Sequence, residues 1–584
     1  MRTDGMGKRH NSGPSAASNQ LSGAEAMVRM LEAYGVRHIF GLCGDTTLPF
    51  YDALYRLDHG IHHILTRDER SAAYMADAYA RVSGRVGICE GPSGGGATYI
   101  APGLVEANES SVPILAITTD VSVSSRGHFP LTELDQEGLF RPLTKWNGVI
   151  PRAEMLPDMV RQAFRAMTTG VPGSAHLGLP FDVQKASVAP EAIWGRPELG
   201  IYPAWRSGPD PQAITAAVER LLAARCPVVI CGGGVVLSGA EVELESFARR
   251  LDLPVATTIS GQGSLPESQA NCLGVVGSNG GTPATRAVVD EADLVLFIGC
   301  RAGSVTTERW RSPKGGVGLI HIDSNPMVIS ASYQTDVAVV SDARLALAAL
   351  NEELVRREAE EGADKRISFG GQDRVRAAKE KKAAAFRSLA VSSDLPIRPE
   401  RVIDNLNRLL PKDAVVVADP GTPCPYFSAY YEVRQAGRQF FSNRAHGALG
   451  YALSAAVGAS FGRPGVKVVS AMGDGSFGFT CGELETVVRY GLPITFLVFS
   501  NASYGWIKAG QKSGFDERYY SVDFDRSDHA RIAEAFGLKA WRVEDPAQLE
   551  PTLREALTCD GPSLVDIVSQ PLQDAAAPVS EWVA

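Results

Sequence analysis

Residues 466–506 read VKVVSAMGDGSFGFTCGELETVVRYGLPITFLVFSNASYGW, and this stretch decides the fold. Its apolar runs VKVVSAM and PITFLVFSN are short and rich in β-branched residues, which predicts two buried strands. Between them, GELETVVRYG has the spacing of a helix that ends at Gly491, a residue type common just past a helix C-terminus. GDGSF predicts a tight turn whose backbone amides can approach an anion. The stretch is therefore a strand–helix–strand unit of a parallel sheet.

Two polar residues stand at the ends of these strands. Asp474 follows the first strand, and Asn501 ends the second. In a parallel sheet both strand ends emerge at the same edge, where ligands bind, so these side chains can be neighbours in space. A carboxylate, an amide oxygen and a backbone carbonyl are hard ligands, suited to a Mg²⁺ that also takes diphosphate oxygens. A plain β-turn remains the alternative for the GDGS motif taken alone.

The same alternation of short apolar runs and amphipathic stretches continues along most of the 584 residues. It stops at residues 190–207, rich in Pro and Trp, and again in the charged residues 353–394. We therefore expect an α/β protein of three doubly wound parallel-sheet domains. The expected boundaries are a disordered tail at 1–20, domains at 21–190, 205–350 and 395–572, a charged helix and linker at 351–394, and a C-terminal tail at 573–584.

Composition excludes several classes of function. The net charge of −9, from 66 acidic and 57 basic residues, argues against a nucleic-acid or anionic-membrane surface. No apolar run has the length of about eighteen residues that a transmembrane helix needs. The polar N-terminal residues lack the apolar core of a signal peptide, and the nine cysteines form no CxxC pair. We therefore expect a cytoplasmic protein with reduced thiols and no nucleic-acid or membrane partner.

Three further motifs bear on the chemistry. DPGTPCPYF (419–427) follows the strand AVVVAD, and HGALGYALSAAVGA (446–459) opens a helix. In the first unit a strand ends near Thr66, and Glu69 stands where the next helix starts. A carboxylate at a helix N-terminus is often only a partner of the helix dipole. The longer pattern E-x-x-A-x-x-M-A-x-x-Y-A-R, which runs from Glu69 to Arg81, gives this glutamate a second interpretation.

Together these motifs resemble those of thiamine diphosphate-dependent enzymes, over residues 21 to about 572. GDG, 25 further residues and then Asn501 resemble the family's diphosphate signature, with Ser500 in place of the first residue of its common Asn-Asn ending. The resemblance implies thiamine diphosphate and Mg²⁺ as cofactors. It implies metal ligation by the side chains of Asp474 and Asn501 and by the carbonyl of Ser503. It places the other cofactor contacts of the third unit at Thr422, Gly447, Leu449, Gly473, Gly475, Ser476 and Tyr504.

The resemblance makes Glu69 the residue that activates the cofactor, through a hydrogen bond to the pyrimidine ring. The three domains are then pyrimidine-binding, central and diphosphate-binding, in chain order. The Gly447 carbonyl would meet the exocyclic amine of the cofactor, and Leu449 would bend its two rings together. Burial in a mostly apolar pocket should raise the pKa of Glu69 and help it share a proton with the ring nitrogen. In the family the glutamate and the metal site meet across a subunit boundary, which implies a homodimer or homotetramer with interface active sites.

The central unit contains CGGGVVLSGAE (231–241), a glycine-rich strand exit that either binds a dinucleotide or simply makes a tight turn. In the acetolactate synthase branch this domain holds FAD, and other relatives hold ADP or nothing. Residues 301–305, RAGSV, lack both aspartates of that branch's motif. The sequence therefore leaves FAD and ADP open for this domain.

Within the superfamily, RGHFPLTELDQEGLFRPLTKWNGVI (126–150) resembles the acetolactate synthase branch, which implies a 2-oxo acid substrate. Pro130-Leu131 replaces a Gln-Glu pair there, Tyr99 replaces an Asn, and the entry loop GLCGDTTLPF lacks the usual Pro-Gly-Gly. These departures leave the identity of the substrate open. Imidazole titrates near neutrality, so a histidine in this loop is a candidate acid or base. The candidate substrate-side residues are His128, Phe129 and Trp506.

The leading hypothesis is a thiamine diphosphate-dependent lyase or transferase, acetolactate synthase-like, that decarboxylates a 2-oxo acid and then protonates or ligates the product. One alternative is a 2-hydroxyacyl-CoA lyase or oxalyl-CoA decarboxylase-like enzyme with an acyl-CoA substrate. The short segment after the last strand, QPLQDAAAPVSEWVA, disfavours it. Another is a non-catalytic relative that serves as scaffold or regulator, against which Glu69, Asp474 and Asn501 argue.

Overall fold

The computed structural model describes residues 20–361 and 367–582, which form three units around three six-stranded parallel sheets. This arrangement confirms the predicted α/β class with three doubly wound domains. The predicted tail at 1–20 lies outside the described residues, apart from residue 20. Among the helices of the described ranges, none has the length and apolar character needed to cross a membrane.

The sheet of the first unit has the strand order β3-β2-β4-β5-β7-β6, and a short antiparallel pair, β1 and β8, lies beside it. All seven residues of β5 are buried, as expected for a parallel strand covered on both faces. The strands are β1 (Leu21–Ser22), β2 (His38–Gly41), β3 (His62–Leu65), β4 (Gly87–Gly91), β5 (Ile114–Asp120), β6 (Trp146–Val149), β7 (Ala175–Pro180) and β8 (Ser187–Val188). The helices are α1 (Gly23–Ala33), α2 (Leu48–Arg56), α3 (Glu69–Ser83), α4 (Gly95–Tyr99), α5 (Ala101–Glu109), α6 (Gln136–Phe140), α7 (Leu156–Thr168) and α8 (Phe181–Lys185).

The sheet of the central unit has the order β11-β10-β9-β12-β13-β14. Its strands are β9 (Pro227–Cys231), β10 (Val255–Thr257), β11 (Cys272–Val275), β12 (Leu294–Ile298), β13 (Gly318–Asp323) and β14 (Val337–Val340). Its helices are α9 (Pro211–Leu222), α10 (Gly233–Ser238), α11 (Glu241–Leu251), α12 (Pro283–Asp290), α13 (Ala343–Glu361) and α14 (Gly371–Ala390). The segment predicted as one charged helix and linker thus contains the end of α13 and all of α14.

The sheet of the third unit has the order β16-β15-β17-β18-β20-β19. Its strands are β15 (Val415–Ala418), β16 (Phe440–Phe441), β17 (Val468–Gly473), β18 (Ile494–Ser500), β19 (Lys539–Val543) and β20 (Ser563–Val568). Its helices are α15 (Pro399–Leu409), α16 (Pro423–Tyr430), α17 (Tyr451–Gly462), α18 (Asp474–Thr480), α19 (Leu484–Arg489), α20 (Gly505–Gly514), α21 (His529–Phe536) and α22 (Pro546–Leu557). The predicted neighbours β17 and β18 pair in parallel from Val468–Ile494 to Gly473–Phe499.

The first and third units share one apolar core, in which α3 packs along α17. The two helices approach so closely that a Cβ on Gly458 would lie 1.9 Å from the carbonyl oxygen of Met75. Polar contacts cross the same interface, since the Tyr451 hydroxyl donates to Asp77 and the Ser454 hydroxyl lies 3.0 Å from that of Ser71. Because Glu69 is the first residue of α3, this packing fixes its backbone relative to the third unit.

The segment predicted as a C-terminal tail is packed against the protein up to residue 582. Val579 forms a bridge with Asn279 of the central unit, and the Ser580 amide donates to the Ser278 carbonyl. The ring of Trp582 lies 5.1 Å from that of Trp506. The last described residues therefore connect the central unit to α20, beside the edge of the sheet where β17 and β18 end.

Candidate active site

The ends of β17 and β18 meet as the sequence predicts. The carboxylate of Asp474 accepts hydrogen bonds from the backbone amides of Asn501 (2.8 Å) and Ala502 (2.6 Å) through Oδ2, and from Gly475 (2.9 Å) through Oδ1. One side chain thus ties the two strand ends together. The predicted tight turn at GDGSF is instead the first turn of α18, which begins directly at Asp474. The amides at the start of a helix have no partner within it, so the helix provides the same free donors as the expected turn.

The side chains proposed as metal ligands lie together at this edge. The Asn501 amide group donates to the Thr422 hydroxyl at 3.1 Å, while its oxygen accepts from the amide and hydroxyl of Ser503, both at 3.2 Å. Burial raises the pKa of the Asp474 carboxyl, and its three backbone hydrogen bonds lower it. A carboxylate, an amide oxygen and the Ser503 backbone therefore lie near one another at this edge, and the Ser503 carbonyl accepts from the Gly505 amide at 2.9 Å.

A cavity of about 400 Å³ opens over these residues, between the third unit and the central unit. A Cβ built on Gly421, Gly447 or Gly473 would meet no atom within 4 Å, so these three backbone positions face open space. Of the predicted cofactor contacts in the third unit, all except Asn501 line the cavity, and Trp506 lines it as well. The predicted set in the cavity wall is Thr422, Gly447, Leu449, Gly473, Asp474, Gly475, Ser476, Ser503 and Tyr504.

Asp419 is a residue that sequence reasoning missed. It follows β15 and is fully buried, and burial raises its pKa to about 7. Its carboxyl accepts from the Ala452 amide at 2.7 Å and from the Ser476 hydroxyl, which in turn accepts from the Gly450 amide at 2.7 Å. The hydroxyl of Ser476 is therefore engaged within the protein, and its backbone amide is the group that remains for an anion. The sequence signal that could have identified Asp419 is an acidic residue directly after a buried apolar strand.

Ser500, the departure from the common Asn-Asn ending, belongs to a buried cluster around Asp566. The Asp566 carboxylate accepts from the Ser500 hydroxyl and, at 2.8 Å, from Arg542, and Nδ1 of His529 lies 3.0 Å from the Ser500 hydroxyl. His529 also packs edge-on against Phe477 of α18, with ring centroids 5.2 Å apart. A serine at this position is thus explained by partners that are distant in sequence.

Glu69 begins α3 directly after Asp68, whose carboxylate caps the helix by accepting from the Arg70 and Ser71 amides. Its side chain is 6% exposed, and burial raises its pKa, with smaller contributions from the nearby carboxyls of Asp68 and Glu90. The sequence analysis missed the two glycines that surround it. A Cβ on Gly96 would lie 2.9 Å from Oε1 of Glu69, and one on Gly91 would lie 3.1 Å from its Cγ.

In a single chain, the candidate residues of the first unit do not line this cavity. Among the described residues of 21–190, none lines the cavity over Asp474. Glu69 therefore lies outside it, as do His128 and Phe129, which occupy an exposed loop where Phe129 is 92% exposed. Trp506 is the one substrate-side candidate in the cavity wall, half-buried beside Trp582.

The first unit nevertheless contacts the loop before α17 of its own chain through Glu106. This buried carboxylate accepts from the His446 amide at 2.7 Å and from Arg81 at 3.1 Å. Burial raises its pKa, while the Arg81 guanidinium lowers it. The contact anchors the segment that contains Gly447 and Leu449, the predicted neighbours of the pyrimidine ring.

A second cavity, of about 380 Å³, lies against the central unit at the exits of β9, β12 and β13. Its wall includes the predicted glycine-rich strand exit at 232–234 and the RAGSV segment, except Ala302. Asp323, at the end of β13, also lines it, and burial raises the pKa of this carboxyl to about 6. An acidic residue at a strand end beside a glycine-rich turn is the arrangement that holds a ribose in doubly wound nucleotide sites.

Comparisons with known proteins agree with this architecture. Three family descriptions match in chain order: the N-terminal TPP binding domain of thiamine pyrophosphate enzymes at residues 21–139, their central domain at 214–350, and their C-terminal TPP binding domain at 419–567. The chain is 35% identical to a probable acetolactate synthase large subunit of Methanococcus aeolicus, over 94% of this chain and 92% of that protein. It is 34% identical to a probable acetolactate synthase large subunit of Methanocaldococcus jannaschii, over 95% and 93% of the two chains. It is 32% identical to the acetolactate synthase isozyme 3 large subunit of Escherichia coli K12, over 92% of each.

Proposed function

Because the chain belongs to the thiamine pyrophosphate enzymes, in the branch of the acetolactate synthase large subunits, we propose that it is a thiamine diphosphate- and Mg²⁺-dependent enzyme acting on a 2-oxo acid. The proposed reaction is decarboxylation followed by carboligation or protonation. The observation that carries the proposal is that Asp474, Asn501 and Ser503 are neighbours at the ends of β17 and β18, where Asp474 and Ser503 line a cavity between two units.

The residues around the cavity fit thiamine diphosphate and Mg²⁺. Asp474, Asn501 and the Ser503 carbonyl would hold the metal, because Mg²⁺ prefers oxygen ligands and is usually shared with phosphate groups rather than enclosed by protein. The open backbone faces of Gly421, Gly447 and Gly473 leave room for a ligand to approach the chain closely.

Bound thiamine diphosphate supplies a carbon nucleophile that can also accept the electrons of the cleaved bond. The protein's part is to hold and polarise it. Glu69 presents a carboxyl whose raised pKa suits it to hold a proton at Oε1 or Oε2 toward a ring nitrogen. Leu449 supplies a bulky wedge at the cavity wall, and Asp419 stiffens the loop beneath it through Ser476 and the Ala452 amide.

We propose that the complete active site forms between two chains, in a homodimer or a dimer of dimers. In a single chain Glu69 does not line the cavity over Asp474, and a second copy would bring its own Glu69 to that cavity. Large apolar side chains are exposed in both regions, at Phe129 and Leu131 in the first unit and at Ile507 in the third. Their burial against a second copy would stabilise such a pair.

For the central cavity we propose a nucleotide, with ADP and FAD as the candidates. Asp323 is placed to accept hydrogen bonds from ribose hydroxyls, and glycines at 232–234 allow phosphate groups to come close to the backbone. The absorption spectrum of the purified protein separates the two: a flavin gives visible absorption bands and a yellow colour, whereas ADP gives neither.

The experiment that tests the proposed function combines stability and turnover. We expect thiamine diphosphate with Mg²⁺ to raise the melting temperature, since a ligand at about 100 times its Kd stabilises the folded state by about 2.7 kcal/mol. We also expect proton NMR to show conversion of pyruvate to acetolactate or acetaldehyde. The Asp474→Ala variant should lose both effects.

The two remaining candidates predict other outcomes of the same experiment. Stabilisation by the cofactor without conversion of pyruvate directs the search to larger 2-oxo acids and acyl-CoA substrates. Absence of stabilisation in the wild-type protein contradicts the cofactor proposal and leaves a non-catalytic scaffold or regulator.

A further inference from the structure

Arg444 lies on the loop between β16 and α17, in the wall between the cavity over Asp474 and the cavity of the central unit. It lines the cavity over Asp474 and also the cavity of the central unit. The residues common to both walls are Arg444, Ala445, Ser304 and Val305. A ligand in either cavity can therefore approach this guanidinium group.

The other charged groups of these walls have partners. Asp342 pairs with Arg206 at 2.8 Å, and Glu109 with Arg301 at 3.5 Å. Arg438 donates to the carbonyls of Leu237 and Arg81. Further ion pairs are Arg81 with Asp77 and Glu106, Arg309 with Glu581, and Arg311 with Glu581.

Arg444 differs from these arginines in having no such partner. Its Nε is buried without a hydrogen bond, and within residues 20–361 and 367–582 its guanidinium forms no hydrogen bond, ion pair or ring contact. Buried polar groups are almost always hydrogen-bonded, and leaving a charged one unpaired is costly. A half-buried guanidinium that has no partner among the described residues of its own chain and lies between two cavities is thus a candidate binding group for an anion.

We propose that Arg444 is a specificity-determining residue that binds the anionic group of the second substrate, the acceptor in the carboligation step. This inference rests on the proposed function, because it assumes a two-substrate reaction in the cavity over Asp474. The planar guanidinium can hold a carboxylate or a phosphate through two parallel hydrogen bonds, which selects acceptors that carry such a group over neutral aldehydes.

The donor substrate is a less suitable partner for this cation. Its carboxylate leaves as neutral CO₂, so an ion pair with Arg444 would stabilise the ground state more than the transition state and slow that step. The acceptor keeps its anionic group throughout the reaction, and its ion pair is maintained from binding to product. Arg444 should therefore affect acceptor binding and leave donor decarboxylation unchanged.

The phosphate of a nucleotide in the central cavity is a second source of the same anionic chemistry, because Arg444 also lines that wall. The two sources predict different losses when Arg444 is replaced. If replacement of Arg444 removes the selectivity for anionic over neutral acceptors, the anion that Arg444 binds belongs to the substrate. Loss of ADP affinity with intact acceptor selectivity overturns the substrate assignment and places the anion in the central cavity.

The test compares Arg444→Met and Arg444→Lys with the wild-type holoenzyme. Arg463→Met, at the far end of α17 and outside both cavity walls, is the matched control. Pyruvate is the donor, and the acceptors are 4-oxobutanoate and butanal, which have the same carbon chain but differ in charge. We expect the KM for 4-oxobutanoate to rise about 10- to 100-fold in Arg444→Met, as for loss of a charge-assisted hydrogen bond. The KM for butanal and the rate of CO₂ release from pyruvate should stay unchanged, with an intermediate KM in Arg444→Lys.

A binding measurement separates this inference from the proposed function. Calorimetric titration of the holoenzyme with 4-oxobutanoate and with butanal needs no donor, so it reports on Arg444 even if pyruvate is not converted. Weaker binding of 4-oxobutanoate alone in Arg444→Met supports the inference. Equal binding of both acceptors by the wild type, or a variant that loses only melting temperature or dimer stability, overturns it.

Discussion

At the scale of single residues, Glu69 and Asp474, the carboxyls proposed for the two ends of the cofactor, have different surroundings. Glu69 is 6% exposed beneath Gly91 and Gly96, and burial raises its pKa. Asp474 is also buried, but three backbone amides bond to its carboxylate and oppose that rise. Burial raises the pKa of both carboxyls; at Glu69 this suits a shared proton, and at Asp474 the three amides hold the carboxylate oxygens at the strand ends.

Replacing Glu69 with Gln should therefore remove activity without removing the fold. The amide cannot share a proton with the ring nitrogen, so we expect the turnover number to fall by at least about 100-fold, the size of a general acid–base contribution. Stabilisation by thiamine diphosphate and Mg²⁺ should persist in thermal melts, because the metal site is intact. Glu154→Gln, an exposed glutamate of the same unit, is the control. Near-normal turnover in Glu69→Gln would show that another group activates the cofactor.

At the scale of secondary-structure elements, the contact between the first and third units runs along α3 and its N-terminal loop. Besides the packing of α3 on α17, the Glu483 carboxyl accepts from the Arg67 amide at 2.8 Å and from the Thr486 hydroxyl at 2.7 Å. Burial raises the pKa of Glu483 to about 7, from an ordinary value of 4.5. The contact between the Arg67 amide and Glu483 orients the loop before Glu69. It therefore involves a carboxyl that burial keeps protonated up to about pH 7.

This carboxyl should make the stability of the interface depend on pH. Its folded-state pKa lies above its unfolded-state value, so its contribution is fully present below pH 4.5 and is lost as the pH rises through about 7. We expect Glu483→Gln to gain stability relative to wild type over this window, by up to about 3 kcal/mol. Melting temperatures of both proteins, measured from pH 4.5 to pH 8, provide the comparison.

Glu485→Gln is the control for this experiment, because Glu485 is part of an exposed pair with Arg489 at 3.0 Å. Its pKa is lowered by that arginine, so its removal should give no gain at higher pH. A stability difference between Glu483→Gln and wild type that is the same at every pH would show that Glu483 titrates normally.

At the scale of the whole molecule, no described residue of the first unit lines the cavity over Asp474. In the proposed homodimer a second copy would complete that site. In such a pair each cavity receives Glu69 from the other chain, and both sites depend on the same two α3–α17 interfaces. Phe129, in a loop predicted to face the substrate, is 92% exposed in the single chain.

Mixing two inactive variants tests this arrangement directly. Glu69→Gln and Asp474→Ala damage different halves of a site, so a mixed dimer has one doubly damaged site and one intact site. After unfolding and refolding together, or co-expression, we expect about a quarter of wild-type activity, because half of the dimers are mixed and half of their sites are intact. Each variant refolded alone should stay inactive. No recovery in a mixture shown to contain mixed dimers would place both residues in sites within one chain.

Most of the fold and the main cofactor residues were predictable from the sequence, because their signals are local. The apolar runs on either side of GDGSF predicted β17 and β18, and the pairing of parallel strand ends predicted that Asp474 and Asn501 would meet. The match to the thiamine pyrophosphate enzymes confirms the resemblance carried by these motifs and by the helix after Glu69. The roles of individual cofactor-site residues stay predictions.

What the sequence by itself determined is therefore the order of elements and the identity of the chemistry-bearing side chains at strand ends and helix starts, since both follow from local periodicity. Only the tertiary structure decided which of these side chains already have partners. The Ser476 hydroxyl is engaged by Asp419, Ser500 by Asp566, and Arg444 by nothing among the described residues. Hydrogen bonds and ion pairs join residues far apart in the chain, and no local pattern records them. For the same physical reason no local pattern showed that Glu69 lies outside the cavity over Asp474 in one chain.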